Sequence, residues 1–284
     1  MLKLGIVKSS NSHSLSSLMH TAALQHLNIK GEYKVYEVST ENLKILFDEL
    51  KQNGIKGLNV TIPHKISVIP LLDELTERAN LIGAVNTITF NDGKSTGDNT
   101  DVTGFWEGIP LDIRNKLPGN NVVLLGYGGS ACAIAIALIH NDVKSITVYG
   151  RDKKKLSMFK EFIDSKTKKL HRNVSTSINT LNDIDLSYAF MLINATPIGM
   201  APDTDSSPVK KEDLKKLPND SLVYDIIYKP QETKLLKDAR SLKLKTLNGV
   251  EMLVRQGAAS LNIWLGKEVA PINVMRLTVE QSLD

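Results

Sequence analysis

Lys65 stands where the apolar run GLNVTI gives way, across Pro63, to a helical segment, with Thr61 and His64 beside it. In an open α/β sheet the carboxyl ends of strands face the ligand crevice, so an ammonium there is placed for proton transfer. Further on, GDNTDVTGF sets Asn99, Thr100 and Asp101 at the junction between two series of elements. A carboxylate at Asp101 facing Lys65 would complete an acid–base pair. A different chemistry is written in NVVLLGYGGSACAIA, where Gly126, Gly128 and Gly129 separate a buried strand from a helix. Glycines permit a tight turn and close backbone approach, and the helix start offers N–H groups and a positive dipole end to a pyrophosphate. A third stretch, HSLSSLMH, crowds hydroxyls into a strand-to-helix turn. They suit either helix capping or a small ligand rich in hydroxyl groups.

A dinucleotide unit that uses NAD carries an acid for the ribose hydroxyls about 20 residues after its glycine turn. Here the strand SITVYG ends at Gly150, Arg151 follows, and Lys153, Lys154 and Lys155 come next. This cationic cluster matches the 2′-phosphate of NADP, and the flat guanidinium of Arg151 can lie against adenine. Asp152 keeps an alternative open: it either reaches a ribose hydroxyl, which favours NAD, or caps the next helix.

The elements that must hold these groups alternate. LKLGIVK, YKVYEVS, GLNVTI and AVNTITF read as strands with helical segments between them, and NDGKS reads as a hairpin turn. After Pro118-Gly119, VVLLG, SITVYG, AFMLINAT and SLVYDIIY are continuous apolar runs of the kind found in parallel strands covered on both faces. The expectation is an α/β protein of two domains: an N-terminal open α/β domain and a Rossmann-type NAD(P)-binding domain, with a cleft for a small ligand. SKTKKLHRNVSTSINTLNDID reads as polar connecting surface, and ELTERA as a solvated helix face.

The 284 residues suffice for two domains, and 42% hydrophobic with 23% charged residues is the mix of a globular protein. A net charge of +4, mostly dispersed, points away from a nucleic-acid groove. One cysteine, Cys132, excludes an internal disulfide and a cysteine-rich metal site. The N-terminus is too short and charged for a signal peptide, and no apolar run approaches the roughly 20 residues of a membrane span. A cytoplasmic monomer or homodimer acting on a small molecule, with no membrane or nucleic-acid partner, is expected.

SHSLS, NVTIPHK, GAVNT, GDNTD, GYGGSA, NATPIGM, DIIYKPQETKLL and NGVEMLVRQGA occur in this order. As an ordered set they make the chain similar to the shikimate dehydrogenase family, from about residue 5 to about residue 265. The resemblance implies reduction of 3-dehydroshikimate to shikimate with NADPH, in aromatic amino-acid biosynthesis. It implies a substrate domain of residues 1–101 completed by 249–284, and a cofactor domain of 102–248. Lys65 would be the catalytic lysine with Asp101 as its partner. Ser14 and Ser16 would bind the substrate carboxylate, and Thr61, Asn86 and Asp101 the ring hydroxyls. Tyr228 and Gln256 would be further substrate contacts. Gly126, Tyr127, Gly128, Gly129, Ser130 and Ala131 would form the pyrophosphate loop. Gly150, Arg151, Asp152 and Lys155 would surround the 2′-phosphate. Asn194, Thr196 and Met200 would lie beside the cofactor, and Ile226, Gly249 and Met252 near the nicotinamide. Gly150 and Asp152 depart from the family's usual asparagine and threonine, which leaves NAD or dual use open; the alternatives are an NAD-using quinate/shikimate dehydrogenase and a non-catalytic dinucleotide-binding module.

His13 and His64 have no third ligand spaced to join them, so both read as helix-start or packing residues and no metal is expected. Cys132 reads as a small buried hydrophobe, and Trp106 and Trp264 as core.

Overall fold

The computed structural model describes residues 1–9, 14–181 and 184–283. His13 falls outside them. The chain divides into two compact units, one of residues 1–104 with 253–282, the other essentially of residues 105–252.

The first unit runs β1 (Leu2–Lys8), α1 (Ser16–His26), β2 (Gly31–Glu37), α2 (Leu43–Gln52), β3 (Gly57–Val60), α3 (His64–Ser67), β4 (Glu74–Leu75), α4 (Glu77–Ile82), β5 (Thr87–Asn91), β6 (Lys94–Asp98) and the start of α5 (Asp101–Gly108). Its sheet has the order β2-β1-β3-β5-β6-β4. The sheet is mixed: β1 is parallel to β2 and β3, whereas β5 is antiparallel to both β3 and β6. The β5–β6 hairpin turns on Asp92 and Gly93, both at positive φ, which is the backbone that an Asp-Gly pair tolerates. Val60 ends β3 deep in the core, so the residues after it emerge at the sheet's carboxyl edge with Lys65 on the short α3.

The second unit holds α6 (Leu111–Arg114), β7 (Asn121–Leu125), α7 (Gly129–His140), β8 (Ser145–Gly150), α8 (Lys153–Lys169), β9 (Ser175–Thr180), β10 (Met191–Asn194), α9 (Lys211–Leu214), β11 (Leu222–Asp225), α10 (Lys234–Ser241) and β12 (Lys245–Leu247). All its strands are parallel, in the order β12-β11-β10-β7-β8-β9. Read from β7 as the first strand, this is the doubly wound order 3-2-1-4-5-6, with its switch point between β7 and β10. The central strands are apolar because both faces are covered: Val122 through Leu125 and Met191 through Ile193 have no exposed surface. α7 is as apolar as the strands, with eight buried residues on all sides of its axis. α11 (Val250–Leu265) carries the chain back, and α12 (Ile272–Gln281) completes the first unit beside α1.

Three sequence expectations need correction. The polar segment after residue 165 is not connecting surface throughout. α8 extends to Lys169, and β9 pairs along its length with β8 as an edge strand of alternating exposed and half-buried residues. Its serines and threonines conceal it because only one face is covered. ELTERA is not a solvated helix: Glu74 and Leu75 pair with β6, Thr76 caps α4 by accepting from the Ala79 N–H, and Ala79 is fully buried. Trp106 and Trp264 are half-buried rather than core. Trp264 donates its indole N–H to the Ile88 carbonyl at 2.9 Å, and Trp106 faces the Arg114 guanidinium.

Candidate active site

The turn after β3 and the turn after β6 bring Lys65 and Asp101 together. Lys65 Nζ donates to Asp101 Oδ2 at 2.6 Å, with the two side chains 13% and 6% exposed. The other carboxylate oxygen accepts from Asn86 Nδ2 at 2.8 Å. Asn86 has its orientation forced. Its Oδ1 accepts from the Thr100 backbone N–H at 2.7 Å, a group that can only donate, so Nδ2 must point to the acceptors Asp101 and Gln256 Oε1. Four residues expected from sequence, Lys65, Asn86, Asp101 and Gln256, thus form one bonded cluster. Thr61 lies half-buried at the end of β3, its carbonyl accepting from the His64 N–H.

Behind this cluster is a polar layer that sequence reading missed. Ser260 Oγ, fully buried on α11, lies 2.7 Å from Thr87 Oγ1, 3.1 Å from Thr100 Oγ1 and 3.0 Å from the donating Asn59 Nδ2. Tyr33 donates to Asn59 Oδ1 at 2.7 Å. Ser260 follows Gln256 by one helical turn, so α11 delivers both to the same side. A Gln and a Ser spaced i, i+4 on α11, Gln256 and Ser260, were the available signal. Asp98, the last residue of β6, braces this region. Burial works against its charge, but the Arg78 guanidinium, Thr76 hydroxyl and Asn99 N–H outweigh burial and hold its carboxyl below the usual range.

Ser14 and Ser16 stand at the start of α1. Ser14 Oγ accepts from the Ser16 N–H at 3.2 Å, and Ser16 is buried. His64 packs as expected: it is fully buried, with Nε2 3.0 Å from the Val38 carbonyl.

In the second unit, Gly126 sits at φ +100° between β7 and α7, and a Cβ there would lie 3.1 Å from the Ala195 carbonyl oxygen. Glycine is needed on both counts. Gly128 precedes α7 with no side chain capping the helix and no acid in its first turn, which leaves that helix start open to an anion. Ser130 is half-buried and Ala131 buried in that turn. Just past the end of β8, Asp152 Oδ1 accepts from the Lys154 and Lys155 N–H groups at 2.9 and 3.1 Å, so Asp152 is the N-cap of α8. Arg151 and Lys153 to Lys155 are exposed beside it. These groups together can hold a dinucleotide carrying an extra phosphate.

Asn194 ends β10 fully buried, donating to Asp225 Oδ1 at 3.0 Å and accepting from the Thr196 N–H and hydroxyl. Asp225 also accepts from Thr233 and the Ile227 N–H. Burial pushes its carboxyl up to about 6, against these donors. Asn194 and Asp225 therefore tie the loops after two neighbouring strands together. Met200 is exposed, Ile226 and Tyr228 are half-buried and Met252 is buried. Gly249 backs directly onto the Ile226 carbonyl, where no Cβ would fit.

A doubly wound parallel sheet with an open glycine turn at its switch point defines a dinucleotide-binding α/β protein. Residues 7–88 match the shikimate dehydrogenase substrate binding domain family, and residues 249–280 the shikimate 5′-dehydrogenase C-terminal domain family. The chain is 40% identical to a shikimate dehydrogenase (NADP(+)) of Synechocystis sp., over 99% of this chain and 96% of that protein. It belongs to the shikimate dehydrogenase family. The enzyme of the same description from Crocosphaera subtropica is 41% identical, over 99% and 96% of the two chains. A crystal structure of a shikimate dehydrogenase in complex with NADP+ superposes with a TM-score of 0.90 at 38% identity, covering 100% of this chain and 96% of the other.

Proposed function

We propose that this protein catalyses the reversible, NADPH-dependent reduction of 3-dehydroshikimate to shikimate, a step of aromatic amino-acid biosynthesis. The Lys65–Asp101 pair carries the reading: a buried ammonium bonded to a carboxylate, in a chain of this family. The first unit holds the substrate and the second the cofactor. When bound, NADPH supplies the hydride that the carbonyl carbon takes up. Lys65 Nζ gives a proton to the carbonyl oxygen, so that the C=O becomes CH–OH, and it takes the proton back in the reverse direction. Asp101 orients Lys65, and Asn86 fixes Asp101. Ser14 and Ser16 hold the substrate carboxylate with their hydroxyls, while Thr61, Asn86, Gln256 and Tyr228 address its hydroxyl groups.

The glycine turn from Gly126 to Ala131 receives the pyrophosphate, and Arg151 and Lys155 the 2′-phosphate. Asp152 is engaged as a helix cap, which supports NADP over NAD. Among the described residues no helix is long and apolar enough to cross a membrane. A single cysteine, which can form no internal disulfide, suits the reducing cytoplasm, where we place the protein. Incubation with shikimate and NADP+ should produce the absorbance of reduced nicotinamide, at a rate well above that with quinate or NAD+. A rate at the blank level with shikimate and NADP+ would reject the reading.

A further inference from the structure

Gly150, the last residue of β8, is buried. A Cβ placed on it would come 2.9 Å from Tyr127 Cδ1, nearer still to Cε1, and 3.2 Å from Leu156 Cδ2. Its φ is not among the positive values of this chain, so the backbone at 150 is one that other residues can adopt. What demands glycine there is the Tyr127 ring. Tyr127 lies between Gly126 and Gly128 in the turn after β7, and β7 and β8 are adjacent strands, with the Gly126 N–H donating to the Tyr149 carbonyl at 2.9 Å. The half-buried ring therefore reaches from the pyrophosphate turn across to the end of the neighbouring strand. In a dinucleotide fold that strand end is where the acid of an NAD site stands to bind the ribose hydroxyls.

We propose that Tyr127 and Gly150 interlock to fix cofactor choice. The Tyr127 ring fills the position from which a side chain at 150 would address the ribose, so an NAD-type acid has no room there. Recognition beyond the ribose is left to Arg151 and the following lysines, which take a phosphate. This rests on the NADP reading of the second unit. It predicts that the two positions must change together for the preference to change, because a Cβ at 150 forces the ring off its seat and into the ribose space.

The test is the equilibrium dissociation constant of NADP+ and of NAD+ by titration calorimetry on four full-length proteins. These are the wild type, Gly150→Asp, Tyr127→Ala and Tyr127→Ala/Gly150→Asp, with thermal unfolding of each without cofactor. Gly150→Asp alone should lose about tenfold or more in NADP+ affinity and gain nothing for NAD+. The double variant should bind NAD+ about tenfold or more tightly than Gly150→Asp does. NAD+ binding by Gly150→Asp equal to that of the double variant would overturn the interlock. Should Gly150→Asp not fold, the same change made in Tyr127→Ala must still tighten NAD+, and its failure to do so is equally fatal. A wild type that binds neither dinucleotide would instead remove the cofactor reading. In that case the interlock stands or falls on unfolding temperatures, which must show Gly150→Asp costing less once Tyr127 is alanine.

Discussion

Lys65 Nζ lies 2.6 Å from Asp101 Oδ2, and both side chains are nearly withdrawn from water. Removing two charges from water is costly, and a buried ion pair is weak support for a fold. A site that moves a proton needs such a pair held in place, and here Asn86, Thr100 and Ser260 hold it from behind.

Ser260→Ala tests that support. The hydroxyl has no exposed surface and bridges three elements, so its loss leaves buried groups on Asn59, Thr87 and Thr100 short of a partner. Stability to urea should fall by roughly 1–3 kcal/mol. Unchanged unfolding would show that the layer rearranges without strain.

Ser14→Ala separates binding from chemistry. The variant should weaken shikimate binding, because a carboxylate loses a charge-assisted donor, while the turnover rate at saturation changes little. Equal shikimate affinity in wild type and variant would remove Ser14 from the site.

Asp152→Ala distinguishes a cap from a ribose ligand. Loss of the two N–H contacts at the start of α8 should cost about 1 kcal/mol of stability and leave the NADP+ to NAD+ preference unchanged. A large change in preference would return Asp152 to the ribose.

Acid should act on the two units in opposite directions. His20 is fully buried, stacked on Tyr33 with ring centroids 4.5 Å apart. Burial lowers its pKa from 6.5 to about 3, with Asn59 opposing. The fold holds the neutral ring, so this contribution is complete above pH 6.5 and is lost as pH falls from there toward 3. Asp225 is raised from 3.8 to about 6, so its contribution is complete below 3.8 and is lost as pH rises through 6, by about 3 kcal/mol. Asp225→Asn should flatten the slope of stability between pH 4 and 6, and His20→Leu should flatten the acid limb below 6.5. Urea midpoints measured across this range check both, and parallel curves for wild type and variants would refute the assignments.

Much of this was legible because apolar runs and glycines speak locally. VVLLGYGG announced a covered strand and a glycine turn into a helix, and Asp92-Gly93 announced a hairpin. β9 stayed hidden because an edge strand rich in Ser and Thr needs only one covered face, and β4 because two residues carry no period. The Lys65–Asp101 pair, to which we assign the proton transfer, was readable as residue types at strand ends. Its supporting layer was not, because Asn59, Thr87 and Ser260 meet only after the chain has passed through the whole second unit and returned on α11.

The most direct measurement compares Lys65→Ala with wild type in steady-state oxidation of shikimate by NADP+. Loss of a proton-transfer group should lower kcat by about 10²- to 10⁴-fold and move KM far less. A kcat equal to that of the wild type would contradict the account.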